Sequence, residues 1–111
     1  MASKPLLWVG ASLSRLRAFP AGARREAGHQ IHRVQLGLEP SDWKPMRSVG
    51  LGVVEIRIHQ QGEYRVLYVA RFAEAIYALH AFSKKTQQTR QAEIEMDRRN
   101  LAEVLRQRRE E

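Results

Sequence analysis

The stretch from Val53 to Thr86, VVEIRIHQQGEYRVLYVARFAEAIYALHAFSKKT, constrains this chain most: it carries three strand-like runs separated by gaps with room only for turns. Val54, Ile56 and Ile58 alternate with Glu55, Arg57 and His59, the period of a strand with one face in a core. Gln60-Gln61-Gly62-Glu63 then offers a turn whose glycine can take positive φ, and Tyr64 to Ala70 is rich in β-branched and aromatic residues. These two runs predict an antiparallel hairpin. After Phe72-Ala73-Glu74, Ala75 to Phe82 is apolar except for His80, as in a strand covered on both faces. Ser83-Lys84-Lys85-Thr86 closes the stretch. Two adjacent lysines at a strand end point in different directions, so Arg57, Arg65, Lys84 and Lys85 are predicted to converge on one face of a three-stranded meander.

The remaining segments read as elements around that meander. Leu6 to Val9 is a short apolar strand ended by Gly10, and Ser12 is placed to cap a short helix carrying Leu13, Leu16 and Phe19. Pro20 ends that helix and opens a second, whose apolar stripe is Ala23, Ala27, Ile31 and Val34 and which stops at Gly37. The outward face of this helical hairpin carries Arg15, Arg17, Arg24, Arg25 and Arg33. Leu38 to Gly52, with two prolines and two glycines, is predicted to be a loop. Thr89 can cap a C-terminal helix over 90–109, with Ile94, Leu101, Val104 and Leu105 on its apolar side and Glu93, Glu95 and Asp97 suiting the helix dipole. The order β-α-α-β-β-β-α predicts a single α+β domain over residues 1–111. Its core is a mostly antiparallel four-stranded sheet with an N-terminal helical hairpin on one face and a C-terminal helix.

Charge narrows the partners. The formal net charge of +7 implies a polyanion or an acidic protein, and the excess is concentrated in residues 1–36, which hold six Lys or Arg against one acid. There is no cysteine, which excludes disulfide and thiolate chemistry. No apolar run approaches the roughly 20 residues of a membrane-spanning helix, and Pro5 to Ala11 is too short for a signal h-region and runs at once into Ser12, Arg15 and Arg17. A cytoplasmic protein with no membrane partner is expected.

The converging cations suit phosphate. Arginine makes bidentate, permanently charged contacts and lysine adds a mobile point charge. In RNA cleavage such groups can stabilise the phosphorane formed when a 2′-hydroxyl attacks the adjacent phosphate, with no cofactor or metal required. The competing reading is that Arg57 and Arg65 only pair with Glu55 and Glu63 on a solvated surface. His80 is likewise either a hydrogen-bonded core histidine or an acid–base group. His29 and His32 lie three apart on a helix but have no neighbouring Cys or carboxylate, so no metal centre is expected. Trp43, beside Lys44 in the predicted loop, is the better placed tryptophan for contact with RNA or another partner, whereas Trp8 is expected in the core.

The segments VVEIRI, GEYRVLYVARF and IYALHAFSKKTQQT, in this element order and followed by a basic helix, resemble the RelE/HigB-like toxins of type II toxin–antitoxin systems, in particular the phage-related HigB-like branch. The resemblance runs from about Pro5 to Arg106. It implies a metal-independent endoribonuclease that enters the ribosome and cuts messenger RNA, held inactive by a cognate antitoxin, expected to be a helix-turn-helix HigA-like protein. By position it implies that Arg65 contacts the scissile phosphate, that Arg57 supports it from the preceding strand, and that Lys84 and Lys85 lie near the leaving group. No tyrosine follows Tyr77, so the acid–base role that some relatives give to a C-terminal tyrosine passes to His80 or a lysine. Arg24, Arg25, Arg33, Lys44 and Trp43 are then candidates for RNA binding. The alternative is a catalytically inactive module that acts only through antitoxin or nucleic-acid binding.

Overall fold

The computed structural model describes residues 3–85 and 91–110, the side chain of Glu110 excepted. Its strands are β1 (Leu6–Trp8), β2 (Trp43–Pro45), β3 (Val53–His59), β4 (Glu63–Val69) and β5 (Ile76–Ser83), and its helices α1 (Ser12–Arg17), α2 (Ala21–Gln35) and α3 (Gln91–Glu110). The fold is α+β, with one five-stranded mixed sheet in the order β1-β5-β4-β3-β2. The meander β3-β4-β5 is antiparallel as its alternation predicts, and β1 joins β5 in parallel. Gln61 (φ 54°) and Gly62 (φ 147°) make the β3–β4 turn, the glycine supplying a backbone angle that a side chain resists.

The expected four-stranded sheet is corrected to five by Trp43–Pro45, inside the segment predicted to be loop. This strand pairs antiparallel with β3, Lys44 opposite Glu55. Pro45 does not prevent it because β2 is the outer strand, where an absent N–H costs no ladder bond on the free side. Ser12 also departs from expectation. It is the first residue of α1, and its hydroxyl accepts from the Val9 N–H at 3.1 Å instead of capping the helix. The proposed cap Thr89 lies outside the described residues.

Each sheet face carries its own core. On one, Leu16 and Phe19 with the α2 stripe Ala23, Ala27, Ile31 and Val34 cover Ile56, Ile58, Tyr64, Val66 and Tyr68. Ala23 and Ala27 let α2 lie close to the sheet. On the other, Leu101 and Val104 of α3 join Met46 and Val49 over Val53, Leu67, Val69, Tyr77 and Leu79. A side chain on Gly50 would sit 2.3 Å from Leu101 Cδ2, so the glycine sets how near α3 can come. Among the described residues no helix is long and apolar enough to cross a membrane.

Candidate functional site

Alternation along β3 sends Val53, Glu55 and Arg57 to the α3 face while Ile56 and Ile58 enter the core beneath α2. Arg65 of β4 lies directly across from Arg57, and Lys44 of β2 directly across from Glu55, so three strands deliver four charges to one place. Glu55 is the centre. It is fully buried, and Arg57 Nε at 3.6 Å, Arg65 Nε at 3.7 Å and Lys44 Nζ at 3.9 Å approach its Oε1. None of these contacts is a hydrogen bond, and both Glu55 oxygens lack one, so the carboxylate is held by charge alone. Arg65 is itself buried, its Nη1 donating to Glu63 Oε1 at 3.1 Å and to the Tyr64 carbonyl at 2.9 Å.

The ion pairs foreseen with Glu55 and Glu63 therefore form, but Glu55 does not lie on a solvated surface. Three cations share it, which leaves the site with surplus positive charge. Lys84 adds to that surplus. Its ammonium pKa is lowered, chiefly by burial and then by the repulsion of Arg65, with Lys44 and Arg57 acting in the same direction and Glu55 against them. Its backbone N–H donates to Glu63 O at 2.7 Å, which ties the strand end to the hairpin.

Where the ends of β4 and β5 meet α1 and the start of α3 opens a cavity of about 480 Å³, and Lys84, which lines it, is the residue that links it electrostatically to Arg65. Arg15, Lys84 and Lys85 supply its cations, Phe19, Tyr64 and Phe82 its aromatic wall, and Glu93 its one carboxylate among the described residues. Lys84 and Lys85 thus line the cavity, whereas Arg57 and Arg65 gather at Glu55 and do not line it, so the expected convergence of all four splits in two, with Lys84 near both groups.

His80 reaches this region through an irregularity in the sheet. Leu67 pairs with His80 but the next residue, Tyr68, pairs with Ala78, so β5 bulges and both Leu79 and His80 face α3. The imidazole is buried, stacks on Phe82 with centroids 5.3 Å apart, and its Nε2–H donates to Glu93 Oε2 at 3.2 Å. Burial pushes its pKa below the ordinary 6.5, outweighing the pull of Glu93. It has the burial and hydrogen bond of the core-histidine reading, and it adjoins the cavity through Glu93 and Phe82.

The other sequence candidates lie apart. Arg24 and Arg25 are exposed on α2, and Arg33 there donates through Nε to the Glu39 carbonyl at 3.0 Å. Since α2 covers the opposite face of the sheet from Glu55, these arginines do not join the cluster. Lys44 does, and Trp43, half-buried on β2, pairs with Ile56 and so faces the α2 side. Among the described residues no three His, Cys, Asp or Glu side chains group so as to hold a metal ion.

Sequence reasoning passed over three acids here. Glu55 was visible only as a surface partner, and Glu93 and Asp97 only as helix-dipole residues. Asp97 is in fact fully buried, both oxygens unpartnered, and desolvation with repulsion from Glu93 and Glu55 lifts its pKa to about 8. Its spacing from Ile94, Leu101 and Val104 places it in the buried stripe, which is the signal that could have found it.

A family model described as Phage derived protein Gp49-like (DUF891) matches residues 14–102, which includes every residue of the cluster and the cavity named above. No curated protein matches the chain.

Proposed function

Because the chain belongs to the Gp49-like family of phage-derived proteins, a toxin-like family of the RelE/HigB type, we propose that it is the toxin of a type II toxin–antitoxin pair, a ribosome-dependent messenger RNA endonuclease that stops translation. The observation that carries the reading is the pairing of Arg57 and Arg65 about the buried Glu55, with Lys84 near enough to feel their charge and lining an open cavity.

In this reading Arg57 and Arg65 hold the scissile phosphate, and Glu55 is a positioning residue that fixes both guanidiniums before substrate arrives. The 2′-hydroxyl gives its proton to water as it attacks the adjacent phosphorus, the cations stabilise the phosphorane, and the P–O5′ bond breaks, giving a 2′,3′-cyclic phosphate and, once the leaving oxygen is protonated, a 5′-hydroxyl end. Lys84, whose surroundings favour loss of its proton, is the group placed to protonate the leaving oxygen. Neither step calls for a metal. His80 acts behind Glu93 as a positioning residue. The exposed arginines Arg24 and Arg25 of α2 would meet ribosomal RNA, and a helix-turn-helix antitoxin would neutralise the toxin in the cytoplasm.

The test is induced expression of wild type, Arg65→Ala and Lys84→Ala, with growth followed and 5′ ends mapped on translated and untranslated transcripts. Arrest with cuts confined to translated messages is expected, and Arg65→Ala should lower cleavage by about 10²–10³-fold, as loss of a transition-state charge contact does. One observation favours a rival: Arg65 is only 5% exposed and engaged internally, as it would be in an inactive module that binds antitoxin or nucleic acid. Normal growth with intact messages, from protein shown to be folded, would select that rival.

A further inference from the structure

Glu55 holds its arginines for phosphate, but Glu93, standing among Arg15, Lys84 and Lys85 in the cavity, pairs with His80 and with none of those cations. Building on the RNA reading above, we propose that this cavity seats one nucleotide of the message and that Glu93 selects guanine there. At about 480 Å³ the space lies within the roughly 300–1,000 Å³ of small-ligand sites and can hold a single nucleotide. Arg15, Lys84 and Lys85 line it as cations that a phosphate would meet, and Phe19, Tyr64 and Phe82 offer a base an apolar wall.

The choice of base follows from hydrogen-bond chemistry. A carboxylate can only accept. Guanine presents two adjacent donors on its Watson–Crick edge, N1–H and the 2-amino group, which match the two oxygens of Glu93. Adenine and cytosine set an acceptor beside their amino group, and uracil flanks its one N–H with carbonyls, so each would place an oxygen or nitrogen lone pair against the carboxylate. His80 readies the reader. Its bond to Oε2 fixes the Glu93 side chain while leaving Oε1 and the second lone pair of Oε2 for a base. The bulge in β5 that turns His80 toward α3 thereby becomes part of the specificity.

The experiment is titration of the full chain with the 5′-monophosphates of guanosine, adenosine, cytidine and uridine, followed by chemical-shift perturbation, for wild type, Glu93→Gln and Lys84→Ala. Wild type is expected to bind GMP about tenfold more tightly than the others, the discrimination of a well-formed bidentate contact. Glu93→Gln, which keeps an oxygen for His80 but turns one acceptor into a donor, should lose that preference, whereas Lys84→Ala should weaken all four alike. Equal binding of the four by wild type, or an unchanged GMP preference in Glu93→Gln, would overturn the proposal. The titration needs no cleavage, so it decides the base reading even if messages prove uncut. If they are cut, the bases flanking the 5′ ends should lose their guanine bias in Glu93→Gln.

Discussion

Glu55 and Ile56 are consecutive, both fully buried, and point to opposite faces of one strand. The face beneath α1 and α2 buries no charged residue among those described, and its polar exceptions, Ser12 and Gln30, are hydrogen-bonded. The face beneath α3 is divided. Near Leu101 and Val104 it is an ordinary core, but toward the start of the helix it buries Glu55, Arg65, His80 and Asp97. Burying charge costs free energy that hydrophobic residues of the same size would avoid. The contrast teaches that the polar end of this face costs stability that the apolar end does not, which is what the proposed phosphate site would require.

The comparison can be broken from either side, and the largest effect is expected at its centre. Glu55→Ala leaves the buried Arg65 without its carboxylate and should cost about 3–5 kcal/mol in denaturant unfolding. Replacing Glu55 and Arg65 together by leucine should recover most of that loss while message cleavage stays abolished, a separation that a purely structural ion pair would not give. On the apolar face, Ile56→Ala should cost about 2–5 kcal/mol through its cavity, with no dependence on salt, in contrast to variants of the ionic cluster.

Asp97→Asn is expected to stabilise. Its carboxyl pKa rises from 3.8 unfolded to about 8 folded, so the folded protein keeps a proton that the unfolded chain releases. Wild-type stability is therefore full below about pH 4 and declines as pH rises toward 8. Asparagine does not titrate, so the variant's advantage should widen across that window by at most about 1.4 kcal/mol per pH unit, reaching on the order of 2 kcal/mol after allowance for relaxation. Thermal melts at pH 5 and pH 8 check the sign, and an advantage that shrinks with pH would refute it.

The smallest effect belongs to an ion cluster at the solvent edge. His59 Nδ1 lies 2.7 Å from Glu63 and Nε2 2.7 Å from Asp42, and these two hydrogen bonds, that to Asp42 first, raise its pKa. A raised histidine contributes stability below 6.5 that is lost as pH rises through the folded value. The side chain is half exposed, so His59→Gln should cost less than about 1 kcal/mol at pH 5.5 and nothing measurable at pH 9. A larger loss than at Glu55 would invert the ranking of buried over exposed charge.

Much of this was legible in order along the chain. Alternation in β3 separated Ile56 from Glu55, the stripe Ala23, Ala27, Ile31 and Val34 declared the buried side of α2, and the apolar run of β5 announced a strand covered twice. Such patterns are readable because burial acts on each element at a short, fixed period. Of the four cations expected to converge, Arg57 and Arg65 meet because a hairpin with a short turn has little freedom in its register, whereas Lys85 turns to the cavity.

The remainder was settled between elements. No local signal marks Trp43–Pro45 as a strand, because its hydrogen bonds come from β3. The side to which His80 points depends on a bulge that shifts pairing against β4. Asp97 and Glu93 were assigned to a helix dipole because sequence spacing alone does not reveal the charge of the sheet that α3 meets. By itself the sequence determined which apolar residues face inward, since apolar surface avoids water wherever its partner lies. Only tertiary structure decided which charges share a burial site, because a Coulomb contact depends on distances between elements far apart in the chain.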